Sequence, residues 1–342
     1  MEISEVGKLK DIRNYNLKGH NTFGIEARCS RFLEFENDRE AMAVAEILRT
    51  TAEPYIIIGG GSNLLLTQDF EGIVVRSAIK GYYFEEDGRM VCGSGETFDD
   101  MVAVSLEAGY YGMENLSLIP GDVGASAVQN IGAYGVEAKD LIVRVEAVEI
   151  ATGEIRTFDN ADCQYAYRDS RFKHDWKNGY LMLRVTYQLS TEFRPRLDYG
   201  NIRAELERKG MKELTAWQLR ETIIDIRRQK LPDPEVMGNA GSFFMNPVVS
   251  REKYERLARQ YEGMPHYTID AAREKIPAGW LIDQCGWKGR SLGRAGVHSR
   301  QALVLVNLGG ATGNEIVALC EQIRHDVRER FDIDIHPEVN IV

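Results

Sequence analysis

The apolar residues fall into short runs of strand length, separated by turns, and into a few longer stretches of helical period. Residues 21–27 alternate apolar and polar, as a half-buried strand does. In residues 38–50 the apolar positions are Met42, Val44, Ala45, Ile47 and Leu48, which predicts an amphipathic helix capped by Asp38. Pro54 opens a short apolar strand, 55–58, that runs straight into Gly59-Gly60-Gly61-Ser62-Asn63. Residues 73–76 read as a further strand, and 82–84 with 89–93 as a hairpin about Asp87-Gly88. Thr97 caps a helix over 98–108, ended by Gly109. Residues 143–150 and 154–158 form a second hairpin about Thr152-Gly153, and 180–189 one more strand. Residues 20–190 thus make one strand-rich α+β unit.

Residues 193–212 are polar and read as an insertion, with Tyr199-Gly200 at a turn. Thr215 caps a helix over 216–230, with Ile223, Ile224 and Ile226 inward and Arg227 and Arg228 outward. A further unit holds a helix over 277–285 with Pro277 in its first turn. A strand over 302–307 and a long helix over 314–330 follow. The chain closes with a strand over 331–335 and then His336-Pro337-Glu338.

Composition narrows the function. The chain has 342 residues, 44% hydrophobic and 27% charged, the balance of an ordinary globular protein of two or three domains. A net charge of −10 with no basic run argues against nucleic acid or an anionic membrane as partner. It leaves room for an anionic small ligand in a locally basic pocket. No apolar run approaches the roughly 20 residues needed to span a bilayer, and the first ten residues carry no apolar signal segment. Cys29, Cys92, Cys163, Cys285 and Cys320 are scattered, as expected of reduced thiols in a cytoplasmic protein. The six histidines are isolated, so no metal site is expected. A monomer is expected.

Three glycine-rich stretches are candidates for chemistry. Pro232 and Pro234 end the preceding helix, and Gly238 to Gly241 lead to Ser242, Phe243 and Phe244. A lone hydroxyl walled by aromatics suits a dry pocket where one proton is handed over. A tight buried turn whose serine bonds only to backbone fits the same residues. The glycines at 59–61 follow a strand, where N–H groups can face an anion. They match neither a dinucleotide fingerprint nor a P-loop, and a plain turn remains open. In 119–135, small residues recur at Gly121, Gly124, Ala125, Ser126, Ala127, Gly132, Ala133 and Gly135. Either another body lies flat on this backbone, or a helix packs closely on a sheet.

The order of these motifs is more telling than any one of them. Gly59 to Asn63, Pro120 to Ser126, Asn130-Ile-Gly-Ala-Tyr-Gly135, Tyr167-Arg168-Asp-Ser, Gly238 to Phe244 and His336-Pro-Glu338-Val follow one another as they do in one family. Over residues 15–342 the chain resembles the UDP-N-acetylenolpyruvoylglucosamine reductases, in their longer branch with a tyrosine-loop insertion. The resemblance implies an α+β chain: an FAD-binding module of the vanillyl-alcohol-oxidase (PCMH) type, then a smaller α+β substrate-binding domain. The expected divisions are a 1–20 N-terminal segment, the FAD module 21–192, the tyrosine-loop insertion and connecting helix 193–230, the substrate domain 231–330, and a C-terminal strand 331–342 carrying Glu338.

The implied reaction is reduction of non-covalently bound FAD by NADPH, then hydride transfer from flavin N5 to the enolpyruvyl group of a UDP-sugar, giving UDP-N-acetylmuramate for peptidoglycan. Carried over by motif, Ser242 donates the proton, and Arg168 and Glu338 stabilise the enolate. Arg168 brings positive charge and paired donors. Glu338 acts as a neutral acid or an orienting acceptor, because a carboxylate would repel an enolate. Taken without the motif, Arg168 is an ordinary surface ion-pair residue and Glu338 a surface acid. Flavin contacts are implied for Gly59, Gly60, Gly61, Ser62, Asn63, Pro120, Gly121, Gly124, Ala125, Ser126, Gly132 and Tyr134. Substrate contacts are implied for Tyr134, Tyr199, Lys230, Asn246, Tyr267 and Gln301. Two other classes remain to be separated from this one. An FAD oxidase of the same fold would often attach its flavin through a histidine, which 59–63 lacks. A non-catalytic sugar-nucleotide binder would be expected to have lost Ser242, Arg168 or Glu338.

Overall fold

A computed structural model describes residues 9–211 and 213–342. The first eight residues of the expected N-terminal segment, and Lys212 of the expected insertion, lie outside the described residues. The described residues form two compact units. One comprises 9–15, Cys29–Gly60 and Glu71–Arg227, the other Asn16–Arg28, Gly61–Phe70 and Arg228–Val342.

The first unit is built on two sheets. One has four strands in the order Lys10–Asn16, Arg28–Phe35, Phe70–Ser77, Tyr55–Ile58, and its last pair is parallel, with Tyr55 opposite Ile73. The other has five strands in the order Ile155–Asp159, Ile142–Glu149, Tyr180–Gln188, Arg89–Gly93, Tyr82–Phe84. Helix α1 (Asp38–Thr50) buries Ala41, Val44, Ala45 and Leu48. These share one apolar cluster with Leu33, Phe35, Ile73 and Val75 of one sheet and Val148, Leu181 and Leu183 of the other. The cap of α1 is Asn37, whose side chain accepts from the Glu40 N–H. Asp38, the expected cap, is already helical. Met42, expected inward, is 40% exposed. Helices α2 (Phe98–Glu107) and α3 (Val123–Gln129) add Phe98, Met101, Val102, Val123 and Ala127 to the core that contains Val145, Val185 and Tyr187.

The expected polar insertion is partly helical. Helix α4 (Ile202–Arg208) and α5 (Ala216–Lys230) bury Ile202, Leu206, Leu219, Ile223 and Ile226 together, with Tyr134 packed against them. The side chain of Thr215 accepts from the Gln218 N–H, so the predicted cap of α5 forms.

In the second unit, α6 (Arg251–Ala258), α7 (Ala278–Gln284) and α8 (Gly313–Phe331) pack with two small three-stranded sheets. The core runs from Phe243 and Phe244 through Leu281, Ile316 and Ile323 to Ile335, and takes in Phe23, Ile25 and Leu65. Residues 21–27 are not the expected strand. Asn21 folds them into a loop: its Nδ2 donates to the Leu17 and Ile25 carbonyls, each at 2.9 Å, and its Oδ1 accepts from the Ile25 N–H at 2.9 Å. Residues 331–335 are not a strand either. Phe331 ends α8, and Asp332 caps it in the left-handed region with φ 52°. The last strand is Asn340–Ile341, parallel to Leu64–Leu65. Among the described residues no helix is long and apolar enough to cross a membrane.

Candidate active site

In the first unit the two glycine stretches meet. A Cβ on Gly59 would stand 3.1 Å from Cβ of Ala125, and one on Gly60 would stand 3.1 Å from Oδ1 of Asp122 and 3.5 Å from Cα of Gly121. Gly60 donates no hydrogen bond to any described residue. The floor is poor in side chains and its amide is free to face an anion, which fits the diphosphate of FAD. Not every small residue serves that purpose. Gly124 is small because strands lie beneath it: its Cβ would meet Cβ of Ser94 at 3.0 Å and of Met182 at 3.2 Å. Here the close-packing reading holds. Ser126, fully buried, bonds to the Tyr187 hydroxyl at 2.6 Å. Asp122 beside the cradle is buried, and burial raises its pKa while the Arg76 guanidinium, 3.4 Å away, opposes the rise.

Arg168 sits at the tip of a two-residue turn. Ala166 and Asp169 exchange both backbone bonds, at 3.0 and 3.1 Å, and Arg168 takes φ 57°. That conformation costs a β-carbon residue about 1 kcal/mol. The site holds it in place. Nη2 of Arg168 donates to the Gly132 carbonyl at 2.5 Å, and Nζ of Lys173 donates to the Arg168 carbonyl at 2.8 Å. A Cβ on Gly132 would stand 2.9 Å from both the Val136 carbonyl and Cγ of Glu137 and 3.0 Å from Nη1 of Arg168, so Gly132 leaves room for its own hairpin partner and for this guanidinium. Tyr134 also has a positive φ, 48°, and burial raises the pKa of its phenol.

Arg227, expected outward, is half-buried. Leu219, Ile223 and Arg227 recur every four residues, which places it on the buried stripe of α5. That spacing is the signal the sequence reading passed over. Arg227 makes no hydrogen bond or ion pair with a described residue, and its Nε is closed to solvent. Burial pulls its pKa down. Tyr134 and Asp99 counter this, and the like charge of Arg168 adds to it. Asp99 is itself held by Arg220, at 2.5 and 3.0 Å. Two guanidiniums, one without a partner, therefore share a site with a phenol.

In the second unit, Ser242 and Glu338 come from paired segments. The Glu338 N–H donates to the Phe243 carbonyl at 2.8 Å, and the Met245 N–H to that of His336 at 2.9 Å. Phe244 and Pro337 form the bridge between them. Glu338 is half-buried, and its carbonyl accepts from Nδ2 of Asn63 at 3.3 Å. Ser242 is exposed and bonds to no described residue, while Phe243 and Phe244 are buried in the core of this unit, so the described residues form neither a buried serine tied to backbone nor a dry pocket walled by those two rings. Gly238 needs its smallness for packing, since a Cβ there would overlap the Phe23 carbonyl. Gly241, with φ 67° and open space around it, is a turn glycine. Gly61 also has a positive φ, 70°, and lies against His20 and Asn21. Ser62 and Asn63 are half-buried.

Two of the expected substrate residues of this unit, Asn246 and Gln301, lie at the start of α7. Oδ1 of Asn246 accepts from the Ala278 N–H at 2.9 Å, and Oε1 of Gln301 is 3.2 Å from where a Gly279 Cβ would be. Tyr267 is exposed on a strand beside Lys275, whose Nζ lies 5.6 Å from the centre of its ring. Lys230, at the end of α5, is exposed, as is Pro120 in the first unit. Among the described residues no group of three His, Cys, Asp or Glu side chains is placed to hold a metal ion.

Residues 30–159 match the profile of an FAD binding domain. The chain is a flavin-dependent oxidoreductase with an FAD-binding module of the vanillyl-alcohol-oxidase (PCMH) type followed by a smaller α+β domain. Residues 233–342 match the C-terminal domain of UDP-N-acetylenolpyruvoylglucosamine reductase. A UDP-N-acetylenolpyruvoylglucosamine reductase of Bacteroides fragilis is 52% identical over 96% of this chain and 99% of its own, and one of Pseudomonas aeruginosa 47% over 95% and 97%. The chain belongs to the UDP-N-acetylenolpyruvoylglucosamine reductase family. The crystal structure of the Thermus caldophilus reductase shares its fold, with a TM-score of 0.67 at 22% identity over 98% of both chains.

Proposed function

We propose that the chain reduces the enolpyruvyl group of UDP-N-acetylenolpyruvoylglucosamine to UDP-N-acetylmuramate, with NADPH as reductant, in the cytoplasmic synthesis of peptidoglycan precursors. The observation that carries the reading is the pairing of 243–245 with 336–338, which brings Ser242 beside Glu338 in a chain of this family. The dispersed free cysteines support a reducing compartment.

FAD, when bound, would supply the hydride that adds to the enol ether, with NADPH as its source. Gly59 to Asn63, Pro120, Gly121, Gly124 to Ser126, Gly132 and Tyr134 are the proposed FAD contacts. Hydride addition leaves an electron pair on the carbon beside the substrate carboxylate. Arg168 and Arg227 face that carboxylate as cations and stabilise the enolate. Glu338 holds the enolate oxygen as a hydrogen-bonded acid. Ser242 gives its hydroxyl proton to the carbon and is reprotonated by water. Lys230, Asn246, Tyr267, Gln301 and Tyr199 take the UDP-sugar, whose diphosphate needs cations and donors in an acidic protein.

The test is a visible spectrum of the purified protein, titrated with NADPH and then with the enolpyruvyl sugar nucleotide. The yellow colour is expected to bleach and return. In Ser242→Ala, reduction by NADPH stays intact while reoxidation by substrate slows about 100-fold or more. Stopped-flow absorbance reads both halves, and unchanged reoxidation removes Ser242 as donor.

A further inference from the structure

The turn that presents Tyr134 is built against its own preferences. Gly132–Ala133 and Val136–Glu137 pair as a hairpin, and Tyr134 and Gly135 close it with φ 48° and 79°. Two consecutive left-handed residues make the tight turn that usually begins with Asn, Asp or Gly. A tyrosine there needs outside support, and Asn115 gives it. Asn115 lies on the short 3₁₀ turn Glu114–Leu116 and is buried. Its Nδ2 donates one hydrogen to the Tyr134 carbonyl at 2.8 Å and the other to the Arg196 carbonyl at 2.9 Å. One amide therefore joins the hairpin tip to the root of the segment carrying Tyr199.

Beyond that joint the two segments interlock. Cβ of Tyr199 is 3.3 Å from where a Gly135 Cβ would be, and the Tyr134 ring is 3.7 Å from where a Gly200 Cβ would be. The ion pairs along this segment, Arg196 with Asp140 and Arg203 with Asp198, are exposed and hold it weakly.

We propose that Asn115 is a positioning residue for substrate capture, clamping the Tyr134 turn to the Tyr199 segment so that both tyrosines meet a sugar nucleotide as a preset pair. The proposal rests on the reading of Tyr134 and Tyr199 as substrate contacts. It makes no claim on the hydride or proton steps.

The experiment compares the FAD-loaded full chain with Asn115→Leu, which keeps the bulk and loses both donors, and with Asn115→Ser, which keeps one. In Asn115→Leu the KM for the enolpyruvyl sugar nucleotide rises about tenfold, the loss of two hydrogen bonds, while kcat stays within about threefold. Asn115→Ser falls between. The flavin spectrum and the rate of reduction by NADPH do not move. Trypsin cuts after Arg196, which is 59% exposed, several-fold faster in Asn115→Leu than in the wild type. An unchanged KM or an unchanged cutting rate overturns the proposal, as does a loss of bound FAD equal to the loss of activity. If the wild type does not turn over the sugar nucleotide, the functional reading fails. The cutting rates, which need no substrate, still decide whether Asn115 holds the segment. If Asn115→Leu does not fold, Asn115→Ser carries both readouts.

Discussion

Arg227→Met offers a test in which stability and function move in opposite directions. The guanidinium has an orphaned, inaccessible Nε and no bonded partner among the described residues. The carboxylate whose charge acts on it, Asp99, is occupied by Arg220. A buried donor left unpaired costs about 1–3 kcal/mol. Methionine keeps most of the apolar stem and removes the charge beside Arg168. Because part of the side chain reaches solvent, the gain falls in the lower half of that range, about 1–2 kcal/mol. With an unfolding entropy of about 2.1 cal/mol/K per residue, a gain of that size raises the melting temperature by roughly 1–3 °C in a protein of this length. If Arg227 faces the substrate carboxylate, the variant also loses a charge-assisted hydrogen bond of about 1.5–3 kcal/mol, a rise in KM of roughly 10- to 150-fold. Melting of the FAD-loaded protein and steady-state kinetics read the two effects, and Arg227→Lys, which keeps the charge, should stay near the wild type in stability. A lower melting temperature in Arg227→Met with an unchanged KM refutes the argument and makes Arg227 a packing residue.

Gly132→Ala forces a methyl to within 2.9 Å of the Val136 carbonyl and 3.0 Å of Nη1 of Arg168. Both the hairpin and the guanidinium seated on it must shift. Turnover should fall about 10-fold or more with FAD still bound, and wild-type turnover would show that Arg168 needs no such seat. Asp122→Asn tests the charge beside the proposed flavin cradle. Burial raises the Asp122 pKa, so the charged form is disfavoured in the fold and its cost grows as pH rises from about 4 through the folded value. The variant should therefore melt above the wild type at about pH 8, with the gap closing toward about pH 4. A gap that does not vary with pH counts against it. Tyr199→Phe should raise the substrate KM more than it lowers kcat, and equal KM values would remove the hydroxyl from substrate capture.

Elements with a strong local signal were legible from residues alone. Helix α5 runs from Ala216 to Lys230 as its apolar period demands, and the hairpin at Asp87-Gly88 forms where the turn pair predicts it. What failed was set by distant partners. Lys10–Asn16 is mostly exposed at a sheet edge and carries no alternation to read. Residues 21–27 alternate correctly for a strand, yet the Asn21 side chain bonds to the Leu17 and Ile25 backbone and folds them into a loop. The candidate site shows the same division. The motif order pointed to Ser242, Arg168 and Glu338, and the structure pairs the segments of two of them. The cause of each glycine was not legible, because Gly124 and Gly238 answer to Ser94, Met182 and Phe23, far away in sequence.

The strain in the first unit is not spread evenly, and its distribution bears on mechanism. Asn130, Tyr134, Gln164 and Arg168 all hold positive φ within 39 residues of chain, although none is glycine. Each costs about 1 kcal/mol. The neighbourhood is bonded so as to retain them. Asn130, fully buried at the end of α3, donates to the Ala166 carbonyl at 2.7 Å and to Glu137 at 2.8 Å, and accepts from the Lys139 N–H at 3.0 Å. It thereby ties α3, which carries part of the proposed flavin stretch, both to the hairpin of Tyr134 and to the turn of Arg168. Arg168 closes the circuit through Gly132. In the proposed reaction Arg168 meets a developing enolate, and a cation with that task gains from being fixed in advance, because orienting it during the reaction would add to the barrier. Relaxing this circuit should therefore slow turnover more than it weakens the binding of FAD.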